Sequence, residues 1–256
     1  MSLLNNSDDL ANTIKYHDEL GYSLDSSPIN IGKLIYENIL KDTESVIFTS
    51  ATLGNEDGTS GMPAIEWMTG YSYLESTKRF KNGLFLKNNF DYENNARVFL
   101  AQDTPALYDD KFIPFIIENL VPLIRSLGGR TLLLFSSRMR FERANEYLLN
   151  EFEGELPLFI QGMGNNIVEE FKKTENGILV GMESFSEGID IPGRSLELVY
   201  VDKIPDLRRE YIIDKRRQFY EREFGNEFND YFLANRTRAL HQKLGRLIRR
   251  ESDRGG

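Results

Sequence analysis

Three short runs constrain this chain more than any other feature: TLLLF (131–135), GILVGM (177–182) and LELVYVDKI (196–204). Each is nearly continuous in apolar residues and has the length of a strand rather than of a helix. A strand with almost no polar face has to be covered on both sides. That is the situation of a parallel sheet held between helical layers. The segments between the runs supply the helices. KFIPFIIENLVPLIRSLGG closes on a glycine pair, SSRMRFERANEYLLNEF opens on cap-type serines, and NIVEEFKK follows. PLFIQG reads as a short strand, SVIFTSATL (45–53) as another buried strand and RVFLAQ as a further one. IGKLIYENILK (31–41) and AIEWMTGY carry helical spacing, residues 1–30 read as a loose polar leader, and the chain after 204 is mainly helical. The expected fold class is therefore α/β, a parallel sheet with helices on both faces.

In such sheets ligands bind outside the carboxyl ends of the strands. The loops to inspect then follow Phe48, Phe135 and Met182, and read TSATLG, SSR and ESFSEGIDIPG. Thr49, Ser50 and Thr52 make a hydroxyl-rich strand end. Ser136 and Ser137 open a helix, where they either cap it or present N–H groups to a phosphate. Gly188 allows backbone to approach a ligand. Glu187 and Asp190 flank it as acceptors for an arginine or a ribose hydroxyl, although an ordinary turn loop has the same composition.

The segment QKLGRLIRRESDRG (242–255) places Gln242, Arg246 and Arg249 at i, i+4 and i+7. On a helix these three lie within about 60° of one another. Leu240, Leu244 and Leu247 take the opposite side and would pack on the sheet. Guanidinium groups are permanently charged forks that match phosphate oxygens, while a solvated face paired with Glu251 or Asp253 is the plainer alternative. Charge is uneven: residues 202–256 hold 14 Lys and Arg against 10 Asp and Glu, while residues 1–201 hold 17 against 30. A local anion site on an acidic body fits that distribution.

Several classes are excluded. With no cysteine, disulfides, thiolate metal sites and cysteine nucleophiles are absent from the sequence. The two histidines, His17 and His241, are far apart and form no HExxH, so no metal site is expected. Ser60 in GTSGM misses the nucleophile-elbow spacing. No apolar run is long enough to span a bilayer, and MSLLNNSDD has no basic n-region. Gly32-Lys33 is followed by Leu34, so there is no P-loop in this sequence. If the arginines meet a nucleotide, its phosphate cradle lies elsewhere.

TSATL, LLLFSSR, GILVGMESFSEGIDIPG and QKLGRLIRRESDRG occur in that order. Together they resemble motifs III, IV, V and VI of superfamily 2 helicases, most closely the DinG/XPD branch. NFDY (89–92) is similar to that branch's SPFDY, with Asn88-Asn89 where the family has Ser-Pro. The resemblance covers about residues 43–256. It implies the second RecA-like domain of a two-domain motor, preceded by a leader and connecting helix (1–42) and truncated before the final strand. It also implies ATP with Mg, bound mainly by a missing first motor domain that carries the P-loop. The implied partners are single-stranded DNA and that P-loop domain of the same parent chain, with no membrane and a cytoplasmic location. By resemblance Arg249 is the arginine finger on the γ-phosphate, assisted by Arg246 and Gln242. Glu187, Gly188 and Asp190 line the nucleotide cleft. Ser136, Ser137 and Arg138 touch the single strand, and Thr49, Ser50 and Thr52 couple hydrolysis to movement. The alternative is a catalytically inactive RecA-like module that binds nucleic acid or protein.

Overall fold

The structure, a computed structural model, describes residues 9–18, 21–50, 63–75, 90–186, 189, 191, 193–206, 210–248 and 253–256. In chain order the elements are β1 (Leu10–His17), β2 (Gly21–Pro28), α1 (Ile31–Ile35) running into a wider π-type turn (Tyr36–Leu40), α2 (Pro63–Thr69), α3 (Tyr71–Glu75), α4 (Tyr92–Asn95) and α5 (Phe112–Ser126). Then come β3 (Thr131–Phe135), α6 (Arg138–Glu151), β4 (Leu158–Ile160), α7 (Ile167–Lys173) and β5 (Ile178–Met182). Short 3₁₀ turns follow at Glu183–Ser186 and Gly193–Ser195. They lead to β6 (Leu198–Val201), α8 (Tyr211–Phe224), a second π-type turn (Phe228–Leu233) and α9 (Ala234–Leu244). The chain divides into two compact units, 1–87 with 206–239, and 88–205 with 240–256.

The second unit is built on a four-stranded parallel sheet in the order β4-β5-β3-β6. Every residue of β3 is fully buried, as its apolar run requires. Alternation along the strand divides the core in two. Leu133 and Phe135 pack with Ile178, Val180 and Leu198 against Ile116, Ile124, Ala144 and Leu148 of α5 and α6. Leu132 and Leu134 face the other way, with Leu179, against Ile167 and Phe171 of α7 and Leu247 and Ile248. Helical layers on both faces are thus present, and the expected α/β class holds. The glycine pair after α5 does what its position suggests. Gly129 has φ +89° and its N–H bonds the Ile124 carbonyl, and a Cβ there would sit 2.5 Å from the Gly177 nitrogen.

The first unit holds an antiparallel hairpin, β1 with β2, where the sequence reads as a loose leader. The reading missed it because its large apolar residues do not lie in a core. Ile14, Tyr16, Tyr22 and Leu24 are opposed in cross-strand pairs and all are exposed. Trp67 is buried and stacks on Phe219 at 5.5 Å, beside Tyr220 and Tyr231. Its Nε1 donates to Asn30 Oδ1, which also accepts the Lys33 N–H at the start of α1.

Two expected strands are not found among the described residues. Residues 45–50 are not in a strand, and Ile47 is 86% exposed. Residues 97–102 form no strand beyond one bridge at Ala96, with Val98, Phe99 and Leu100 exposed. β-branched apolar residues favour a strand only where a neighbouring strand and a covering layer exist, and neither run has them among the described residues. Because Leu133 is buried on both sides, Leu133→Ala is expected to lower stability by about 2–5 kcal/mol, read as a shifted midpoint in urea denaturation of the chain.

Candidate functional site

The parallel register brings three strand ends to one edge: Phe135 lies opposite Met182, and Leu134 opposite Val201. The chain leaves β3 toward the face covered by α6 and leaves β5 toward the opposite face, where Ile189 and Ile191 are buried. Loops that diverge in this way open the crevice in which α/β sheets bind ligands.

On the β3 side, Ser136 is fixed by a buried network. Its N–H donates to Asp202 Oδ1 at 2.9 Å, and Arg140 Nε donates to Asp202 Oδ2 at 2.8 Å. Arg140 Nη2 closes the triangle on Ser136 Oγ at 2.8 Å. The Asp202 side chain is fully buried and that of Arg140 nearly so. Burial, reinforced by the Asp202 charge, pushes the Tyr200 phenol well above its ordinary pKa, so it stays protonated beneath this network. The Ser136 N–H is thus occupied by Asp202, and its hydroxyl oxygen accepts from Arg140. Ser137 occupies the cap position of α6 in an extended conformation, with no side-chain cap bond. Arg138 is exposed and pairs with Glu142 one turn on, at 2.8 Å.

On the β5 side, the Met182 N–H donates to Gln161 Oε1 at 2.7 Å, holding the end of the strand. The C-terminal segment reaches this loop at two points. Lys243 Nζ approaches Glu183 Oε1 at 3.5 Å, and Arg246 Nη1 donates to the Ile189 carbonyl at 2.8 Å. Glu187, Gly188, Asp190 and Arg249 lie outside the described residues.

The helix expected to carry Gln242 and Arg246 on one stripe does not reach Arg246. α9 stops at Leu244, and Gly245 to Leu247 form a turn. Glycine, with no Cβ and the largest conformational entropy to lose, is a weak helix former, so the 3.6-residue period does not continue. Gln242 remains on the helix and exposed, while Arg246 follows the turn. Leu247 is buried as expected, whereas Leu244 is 37% exposed. The chain then runs to Gly255 and Gly256, which hydrogen-bond to β6 on one side and to residues 95–97 on the other. A Cβ on Gly255 would lie 2.4 Å from the Glu197 carbonyl oxygen, so this position needs glycine for closeness.

Thr49 and Ser50 are exposed, in the first unit and outside any strand, and Thr52 lies outside the described residues. Within the second unit the structure therefore assembles Ser136, Ser137 and Arg138 at one strand end and Arg246 at another. Sequence reasoning missed Arg140, Asp202, Gln161, Glu183 and Lys243. One signal existed: Asp202 directly follows LVYV, an apolar run of the sheet.

Residues 120–256, more than half of the chain, match the helicase C-terminal domain family, and the chain belongs to that family. Its parallel sheet with two helical layers is the RecA-like architecture expected of it. The chain is 27% identical over 237 residues to the ATP-dependent DNA helicase YoaA of Escherichia coli, covering 91% of this chain and 35% of that protein. It is 29% identical over 248 residues to the ATP-dependent DNA helicase DinG of Photobacterium profundum, covering 93% and 34%. A third relative is the 3'-5' exonuclease DinG of Staphylococcus aureus, 25% identical over 229 residues, with 87% and 24% covered. The chain thus spans a quarter to a third of the length of these curated relatives.

Lys243→Met keeps the buried stem and deletes only the ion pair to Glu183. It is expected to lower stability by about 1 kcal/mol, measured by urea denaturation of the chain, with Glu183→Gln giving a similar loss and the double variant no further one.

Proposed function

We propose that this chain is the second motor domain of an ATP-dependent DNA helicase of the DinG/XPD branch. In the longer protein, ATP would sit between this domain and a P-loop domain of the same polypeptide. Hydrolysis would drive translocation on single-stranded DNA and separation of the duplex. Two relatives that align over nine-tenths of the chain are named as ATP-dependent DNA helicases, which supports the reading. The observation that carries it is the attachment of the arginine segment to the loop after β5, through Arg246 and the Ile189 carbonyl at 2.8 Å.

In this reading Arg249 is the finger on the γ-phosphate, with Arg246 and Gln242 beside it. Phosphoryl transfer depends on position and charge rather than on covalent chemistry, and an arginine from the opposite domain makes hydrolysis conditional on a closed cleft. Glu187, Gly188 and Asp190 line that cleft. Arg246 holds the arginine segment to that loop through a backbone carbonyl, so the two keep a fixed spacing. Ser137 and Arg138 meet the backbone of the single strand, while Ser136 is held from within. Thr49, Ser50 and Thr52 couple the cleft to domain movement. Among the described residues no three His, Cys, Asp or Glu side chains gather as ligands. A magnesium ion, which offsets the phosphate charge, would be held mainly by the other motor domain. Also among the described residues, no helix is long and apolar enough to cross a membrane.

The test is single-strand-stimulated ATPase of the full-length parent, wild type against Arg249→Ala. The expected loss is roughly 10³-fold or more at an unchanged melting temperature. Arg249→Lys is expected not to restore it, because an ammonium lacks the planar fork. A loss below ten-fold (about 1.4 kcal/mol) would favour the catalytically inactive module, and sustained ATP turnover by this chain alone would refute the dependence on a second domain.

A further inference from the structure

We infer that Asp202 is a positioning residue for the loop after β3, acting on single-stranded DNA through Ser136 and Arg140. This rests on the reading above that the SSR loop meets the strand.

Both carboxylate oxygens of Asp202 are used, one by the Ser136 N–H and one by Arg140 Nε, and Arg140 in turn donates to Ser136 Oγ. The triangle joins the end of β6, the end of β3 and the first turn of α6. It is also buried: the Asp202 side chain is 0% exposed and that of Arg140 6%. A buried ion pair is a poor device for stability, since its desolvation offsets its attraction and an apolar replacement often does as well. What it supplies is geometry. Two hydrogen bonds fix the Ser136 backbone and hydroxyl, which sets where Ser137 and the N-terminus of α6 begin. The Ser136 N–H and the hydroxyl oxygen, as an acceptor, are engaged inward. The side chains left to the loop are then the half-buried Ser137, which makes no cap bond, and Arg138, whose side chain is 86% exposed. Asp202 is thus an acidic residue whose presence favours binding of a polyanion.

That paradox gives the test its sign. By charge alone, neutralising a carboxylate near a DNA site should tighten binding or leave it unchanged. If Asp202 positions the loop, the same change weakens binding. In Asp202→Asn one oxygen can still accept the Ser136 N–H, while the new amide faces Arg140 as a second donor and breaks the triangle.

The experiment is fluorescence anisotropy of the full-length parent with a labelled oligo-dT strand, across a range of salt, together with a thermal melt. For Asp202→Asn the expected result is a Kd raised roughly 3- to 10-fold at every salt concentration. The log–log salt slope should match wild type, because no phosphate contact is deleted. Equal or tighter binding, or a loss that appears only as a changed slope, would overturn the inference. If Asp202→Asn is unfolded at the assay temperature, Ser136→Ala decides. It removes only the hydroxyl bonded to Arg140, so binding weakened by about two-fold or more supports positioning, and unchanged binding overturns it. Failure of the wild-type parent to bind the strand at all would refute the helicase reading instead, and is separable from either variant's result.

Discussion

The burial of β3 on both faces and along both edges is the constraint on which the second unit depends. Each edge of the strand is hydrogen-bonded, to β5 on one side and β6 on the other. Each face is apolar, with Leu133 and Phe135 assigned to one helical layer and Leu132 and Leu134 to the other. A strand in that position cannot shift by one residue without sending its three leucines and Phe135 into the wrong layer. Its end is therefore a fixed point, and so are the ends of β5 and β6 in register with it. The loops that follow, with Ser136, Glu183 and Asp202, take their positions from that register.

Divergence of those loops adds the second level. β3 continues into α6 on one face, while the chain after β5 returns on the other face toward Ile189 and Ile191. At the edge between them, polar groups tie down both loops. Asp202, Arg140 and Ser136 hold one lip. Gln161, Lys243 with Glu183, and Arg246 with the Ile189 carbonyl hold the other. The fold thus provides a stiff apolar platform and leaves the fine placement of its functional loops to a few directional bonds.

Much of the platform was legible in the sequence. TLLLF and GILVGM could be nothing other than covered strands, and the glycine pair marked the end of α5. Errors arose where the same local chemistry lacked its tertiary partner. SVIFTS and RVFLAQ have the composition of strands, yet Ile47 and Leu100 are exposed, and among the described residues neither run forms a strand. The hairpin was hidden for the opposite reason, since its backbone pairs while its large side chains face outward. Within the site, the apolar runs pointed to the loops after Phe135 and Met182, which do follow strands, whereas the loop after Phe48 does not. The arginine stripe was projected along a helix that ends at Leu244. The residues that hold the loops were not visible, because Asp202 and Ser136 are 66 positions apart and no local pattern links them.

The two ties that hold this edge differ in how they tolerate sequence drift. Arg246 grips a main-chain oxygen, which every residue type possesses. Position 189 can exchange one apolar side chain for another and the contact survives, provided the backbone path is kept. Asp202 grips a backbone N–H and a guanidinium with its two side-chain oxygens, and no other residue presents two anionic oxygens at that reach. The first tie is written in the polypeptide backbone and the second in a single side chain. Divergent relatives of this chain can therefore keep the arginine anchorage while their sequences vary freely at its acceptor, but changes at 202 must come with changes at 140.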